Sequence, residues 1–123
     1  NMMLGIAMIG CAEGFVLAEK LGLSHKALFD VASTSSGMFW ALMNHCPVPG
    51  LVPTSAANRD YKPGFAAALM TTDLMLSQEA ARPSGASTPM GAEAAQLFQL
   101  FVGNGSGALD YTAIINFLRG KVE

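Results

Sequence analysis

Hydrophobic positions dominate the first stretch of the chain. Asn1 to Leu21 reads as one long helix closed by Gly22, with charge only at Glu13, Glu19 and Lys20. A helix apolar on nearly all sides belongs among other helices. Its small residues Gly10, Gly14 and Ala18 recur every four positions and share one face. Such a stripe lets a second helix come close, which offsets the roughly 1 kcal/mol that each interior glycine costs. The uncharged run from Met2 to Ala12 falls well short of the roughly 20 residues that span a bilayer. The pattern therefore predicts a buried central helix rather than a membrane helix. Because that helix starts at the first residue with nothing before it to cap it, the chain is expected to be a piece of something larger.

Beyond Gly22 the pattern stays helical but breaks often. Ser24 is placed to cap a helix that turns Leu28, Val31 and Ala32 inward. That helix dissolves into Ser33-Thr34-Ser35-Ser36-Gly37, where Ser35 or Ser36 is placed to cap a third helix, Met38 to Asn44, carrying Phe39, Trp40 and Leu42. Pro47 and Pro49 end it, since proline lacks an amide proton and restrains the residue before it. Between Cys46 and Gly64 stand four prolines and two glycines, an extended excursion long enough to suggest function. A fourth helix is predicted from Phe65 to about Arg82, packing through Leu69, Met70, Leu74, Met75 and Leu76. Thr88 before Pro89 reads as a cap with proline at the first helical position, opening a fifth helix, Met90 to Val102. Ala94, Leu97, Phe98 and Phe101 line one face of it. Gly103-Asn104-Gly105-Ser106-Gly107 is a turn, and Asp110 caps a last helix, Tyr111 to Leu118, that buries Ile114, Ile115 and Leu118. No alternating strand pattern is present. The class is all-α, a single helical bundle around the first helix.

Composition narrows the picture. The 123 residues suit one domain. With 51% hydrophobic and 13% charged residues, more apolar surface is present than so small a domain readily covers, which predicts self-association. A net charge of −2 with no basic run gives no electrostatic support for nucleic acid or an anionic membrane as partner. Cys11 and Cys46 show neither metal-ligand spacing nor a disulfide framework, so reduced thiols are expected.

Candidate chemistry is sparse on the residues alone. Gly103 to Gly107 follows no strand and is a turn rather than a phosphate cradle. Ser35 and Ser36 have no His or Asp partners nearby, which argues against a triad. His25 reads as a solvent residue near a helix start. His45 is either a cation at a helix C-terminus or a ligand-touching group. Trp40 is a packing aromatic or a site residue. Nothing places Asp60 and Asp73 together, and Asp73, within an otherwise apolar helix, is either a buried polar anchor or part of a site. The scattered methionines read as core filler.

Several stretches, in this order, carry a resemblance. They are Asn1-Met2-Met3-Leu4 with Met8-Ile9-Gly10-Cys11-Ala12-Glu13-Gly14, Ser35-Ser36-Gly37 with Trp40, Pro47-Val48-Pro49-Gly50, Ser55 to Tyr61, Gly64-Phe65, and Leu69 followed by Asp73-Leu74. Together they span essentially the whole chain, which resembles the C-terminal helical domain of the β-hydroxyacid dehydrogenases, in their 3-hydroxyisobutyrate branch. The resemblance implies a fold like the C-terminal domain of 6-phosphogluconate dehydrogenase. It also implies an N-terminal Rossmann domain, absent from this chain, that holds most of the NAD. Asn1 would be the asparagine of the family's Lys-x-x-x-Asn motif, a substrate-positioning residue. The catalytic lysine would stand four residues upstream, leaving the chain alone inactive. Trp40 and His45 would face the substrate, a small 3-hydroxy acid; His45 stands where the family often has tyrosine. Thr72 and Asp73 would face the cofactor, with Thr72 where the family has lysine. No metal is implied. The homo-oligomer would be a dimer or tetramer, cytoplasmic in a bacterium or in the mitochondrial matrix of a eukaryote. Related activities on tartronate semialdehyde, glyoxylate or succinic semialdehyde, or a non-catalytic dimerisation module, are the alternatives.

Overall fold

The computed structural model describes residues 1–120. Their helices are α1 (Met2–Lys20), α2 (His25–Ala32), α3 (Trp40–Asn44), α4 (Ala67–Ser84), α5 (Pro89–Phe101) and α6 (Ile114–Leu118). Shorter helical turns lie at Ala56–Arg59, Val102–Ser106 and Tyr111–Ala113. Among the described residues no strand is present, and the single β-type pairing is an isolated bridge between Ala66 and Asp110. The class is all-α, as the hydrophobic pattern predicts.

α1 is the pillar. It touches every other α-helix, while α4 packs most extensively on α5. Met8, Ala12 and Phe15 of α1 are fully buried and meet Leu42, Met70, Leu74, Phe98, Ile114 and Ile115 in one core. By length and composition α1 is apolar enough to cross a bilayer, more so than its uncharged run alone indicates. Its packing against five helices gives that surface a place inside the bundle. The helix ends as expected at Gly22, whose φ of 80° is open to glycine at little cost. The N–H of Leu23 returns to the carbonyl of Ala18 (2.9 Å) and that of Gly22 to Glu19 (3.2 Å), a closed C-terminal turn.

Burial of α1 is less complete than the sequence suggests. Met3, Gly10, Glu13, Leu17 and Lys20 form one exposed face. The Gly10 and Gly14 stripe receives no helix, since an added Cβ at either would meet nothing within 4 Å. Close approach happens instead at Gly5, where a Cβ would stand 3.1 Å from Leu74 Cδ2 and 3.2 Å from Met70 Sδ. At Gly91 a Cβ would stand 2.6 Å from Met2 Sδ. The residues opposite Gly5 are fully buried and have no room to move.

Other expectations shift in detail. Ser24 does cap α2, accepting from the Ala27 amide at 3.1 Å, but Val31 is 67% exposed and Phe29 packs in its place. α3 starts at Trp40 rather than Met38, and Ser35 donates to the Val31 carbonyl (2.6 Å) instead of capping it. In α4, Met70 and Leu74 are core, whereas Leu69 and Leu76 are more than half exposed. Thr88 precedes Pro89 as predicted but makes no capping bond, its hydroxyl donating to Gln78 Oε1 (3.2 Å). The proline-rich excursion is no flap: Cys46, Pro47, Val48, Ser55, Ala56 and Ala57 are buried against the core.

The far end of α1 is locked by charge. Arg119 donates to Glu19 through Nε (3.0 Å) and Nη2, with its side chain 14% exposed, and His25 Nε2 lies 2.6 Å from the same carboxylate. His25 is thus part of a network, not a solvent residue, and it also meets the Phe15 ring edge-on. Hydrogen bonding from Arg119, opposed by burial and aided by His25, pulls the Glu19 pKa down to about 2. A carboxylate held below its ordinary value stabilises the fold above that ordinary value and loses the contribution as pH falls through the folded one.

Two predictions arise. Thermal melts should show stability dropping as pH falls from about 4.5 toward about 2, with a shallower drop in Glu19→Gln; equal slopes would sink the assignment. Gly5→Ala should lower the Tm because Leu74 and Met70 block the methyl, while Gly10→Ala should raise stability by up to about 1 kcal/mol. Equal shifts of the same sign would refute that contrast.

Candidate active site

The structure brings the expected site residues together in two groups. In the first, the side-chain amide of Asn1 donates from Nδ2 to Asp73 Oδ2 at 2.6 Å, joining the start of α1 to the middle of α4 across 72 positions of sequence. Asp73 is half-buried rather than buried, and its bond to Asn1 lies in the open. Thr72, beside it, is exposed and donates its hydroxyl to the Ala68 carbonyl (3.1 Å), leaving lone pairs to accept. Asp73 and Thr72 both present acceptor oxygens on a face flanked by the exposed Leu69 and Leu76.

The second group surrounds His45. Its Nδ1 lies 2.6 Å from the Tyr111 hydroxyl, and its ring meets Trp40 edge-on at 4.6 Å and Tyr111 at 5.6 Å. Phe65 meets the other side of Tyr111. His45 is consequently not a helix-end cation: burial lowers its pKa, with Asp110 pulling weakly the other way, so the ring is neutral near pH 7. Trp40 stays 59% exposed, forming an outer wall over the imidazole. A cavity of about 160 Å³ opens beside this group, lined by His45, Thr54, Ala56, Arg59, Gly64, Phe65 and Asp110.

The floor of that cavity is built by Asp110. Its Oδ1 accepts from the Gly64 and Phe65 amides (3.0 Å each), and its Oδ2 accepts from the Thr112 amide (3.1 Å) and hydroxyl (2.6 Å). Sequence reading saw only the helix cap. The tie to Gly64 and Phe65, some 45 positions away, carries no local signal. The approach to the cavity is strained: Asp60 (φ 57°) and Tyr61 (φ 58°) both stand in the left-handed region although neither is glycine. Tyr61 is held there by its own N–H to Ala56 O (2.9 Å), by Asp110 N–H donating to its carbonyl (2.8 Å) and by its hydroxyl to Pro47 O (2.7 Å).

Other expected residues stand apart. Cys11 and Cys46 are free and buried, and burial pushes the Cys11 thiol up to about 12. Among the described residues no group of three or more His, Cys, Asp or Glu is placed to hold a metal ion.

The described residues form a helical domain with a polar tie at one helix start, acceptor oxygens along a helix face and a small aromatic-walled cavity, and among them no strand is present. The chain belongs to the family described as NAD-binding of NADP-dependent 3-hydroxyisobutyrate dehydrogenase, which it matches over residues 1–118. It is 48% identical over 123 residues to a probable 3-hydroxyisobutyrate dehydrogenase of Mycobacterium tuberculosis, covering all of this chain and 42% of that protein. It is 42% identical over 114 residues to the NAD-dependent L-serine dehydrogenase of Pseudomonas aeruginosa, covering 93% of this chain and 38% of that one. A solved structure of the Mycobacterium tuberculosis 3-hydroxyisobutyrate dehydrogenase with L-serine superposes at a TM-score of 0.93 with 50% identity, covering 97% of this chain and 40% of that one. The chain thus spans about two fifths of the length of the curated relatives it matches.

The family description corrects one expectation. NAD binding is ascribed to the matched region itself, not to a separate domain that leaves this chain a C-terminal substrate cover.

One prediction tests the cavity floor. Asp110→Ala leaves the Gly64, Phe65 and Thr112 amides without their acceptor and should destabilise the fold by about 3 kcal/mol or more in urea titration. A change under about 0.5 kcal/mol would show that water replaces the carboxylate.

Proposed function

We propose that this chain is the helical part of an NAD-dependent dehydrogenase that oxidises 3-hydroxyisobutyrate to methylmalonate semialdehyde, a step of valine breakdown. In this reading it lies beside a Rossmann domain, and both contribute to the cofactor site. The observation that carries it is the Asn1–Asp73 bond, which sets the start of α1 against the α4 face bearing Thr72. The long central helix wrapped by shorter ones supports a likeness to the C-terminal domain of 6-phosphogluconate dehydrogenase.

The chemistry asks three things of the protein: hold the hydroxy acid, take its hydroxyl proton, and set the carbinol C–H toward the nicotinamide. NAD, when bound, supplies the hydride acceptor. With one amide N–H tied to Asp73, the Asn1 side chain is locked in orientation, leaving its second N–H to hold a substrate oxygen. Trp40 and His45 wall the acid from water. Thr72 and Asp73 accept hydrogen bonds from the cofactor. The hydroxyl proton goes to a lysine one helical turn before Asn1 in the intact protein.

L-Serine is the second substrate to weigh, because one relative is named for it and the matching solved structure contains it. It too is a short acid with a hydroxyl on its third carbon. Full-length protein assayed with NAD should turn over 3-hydroxyisobutyrate with the higher kcat/KM. A higher value for L-serine would move the assignment to serine, and no turnover of either would overturn it. The proposal also makes the protein a homo-oligomer, since Met3, Leu17, Leu21, Met90 and Leu100 are each more than half exposed. Sedimentation of full-length protein at high micromolar concentration should show a dimer or larger, and a monomer would count against it.

A further inference from the structure

The Tyr111 hydroxyl poses a question that the dehydrogenase reading leaves unanswered. Tyr111 is 0% exposed, so no solvent reaches its phenol. A buried O–H that donates to nothing costs about 1–3 kcal/mol, and native folds avoid it. Among the described residues its one hydrogen-bond partner is His45 Nδ1 at 2.6 Å. Burial also holds the phenol protonated, pushing its pKa well above the ordinary value, so the proton is there to be donated.

In a neutral imidazole one nitrogen carries hydrogen and the other accepts. Were Nδ1 the protonated nitrogen, it would donate to the phenol oxygen and leave the phenol proton without an acceptor. With Nδ1 accepting, the hydrogen must sit on Nε2, and the ring becomes a donor. Trp40 (4.6 Å between ring centroids) and Tyr111 (5.6 Å) both pack edge-on with the imidazole and restrict its rotation. The Tyr111 ring is fixed in turn by Phe65. His45 lines the cavity with Thr54, Arg59, Gly64 and Phe65.

We propose that Tyr111 is a positioning residue, whose hydroxyl, donated to His45 Nδ1, fixes the imidazole as its Nε2–H tautomer and makes His45 a hydrogen-bond donor to an oxygen of the bound acid's carboxylate. This rests on the hydroxy-acid reading above and deepens it. The chain then selects for an acceptor at that position by tautomer rather than by charge. Arg59, on the same cavity wall, sets a positive charge against that of the Asp110 carboxylate, whose oxygens are taken up by the Gly64, Phe65 and Thr112 donors.

The test uses the full-length protein and two independent readouts. Nitrogen-15 NMR of the imidazole at neutral pH should show His45 protonated on Nε2 in the unmodified protein. Protonation on Nδ1 overturns the proposal without any variant. In Tyr111→Phe, checked for folding by its melting curve, the tautomers should become mixed and KM for the hydroxy acid should rise about threefold to tenfold with kcat within about twofold. A parallel fall in kcat, or an unchanged KM in a folded variant, overturns it. His45→Gln, which keeps a donating N–H, should retain a lower KM than His45→Leu, and equal values speak against the donor role. An unmodified protein that oxidises no hydroxy acid sinks the dehydrogenase reading and the carboxylate with it, while the NMR result still decides the tautomer.

Discussion

A single buried carboxylate holds the site end of this domain together. Asp110 is 4% exposed, yet four donors from three residues converge on it, and among the described residues it has no salt bridge. One oxygen opens the helical turn that leads into α6; the other gathers the amides that lead into α4. The isolated bridge between Ala66 and Asp110 is the backbone expression of the same junction. Tyr111 follows directly and is therefore buried behind the cavity wall, where its hydroxyl meets His45. Remove the carboxylate, and the two chain segments keep only their backbone ties, among them Tyr111 N–H to Phe65 O (2.8 Å) and Ala67 N–H to Leu109 O (2.7 Å).

The C-terminal end of α1 is held by a different device. Glu19, Arg119 and His25 draw the ends of α1 and α6 and the start of α2 into one charged cluster, partly shielded from water. The interior is dry and close packed, with Met8, Phe15, Met70, Leu74 and Phe98 filling the space around α1.

This division has a functional consequence. In the proposed dehydrogenase, Asn1, Thr72 and His45 sit where polar ties restrict their motion: Asn1 on Asp73, Thr72 on its own helix backbone, His45 on Tyr111. Pre-set donors and acceptors lower the entropy lost when a small acid is oriented for hydride transfer. The paired left-handed residues Asp60 and Tyr61 sit beside that site, held by three hydrogen bonds to the Tyr61 unit. Strain of this kind persists only where the surroundings over-determine it.

Local chemistry determined much of this protein. Gly22 ends α1, Ser24 caps α2, Pro89 opens α5 and Asp110 caps the final helical turn, because each acts through its own backbone or within three residues of it. The resemblance carried by Asn1, Trp40 and Asp73-Leu74 was likewise legible and led to the right family. Helical faces were less so: Val31, Leu69 and Leu76 fit the period yet stand exposed, since the pattern says which residues share a face but not what covers it. The glycine stripe of α1 failed for the same reason, as close approach depends on where another helix lies, and α4 and α5 crossed at Gly5 and Gly91 instead. Only the tertiary structure decided that Asn1 meets Asp73, that Asp110 gathers Gly64 and Phe65, and that His45 meets Tyr111. Those pairs lie between 45 and 72 positions apart, and no local rule of spacing or propensity reaches across such a distance.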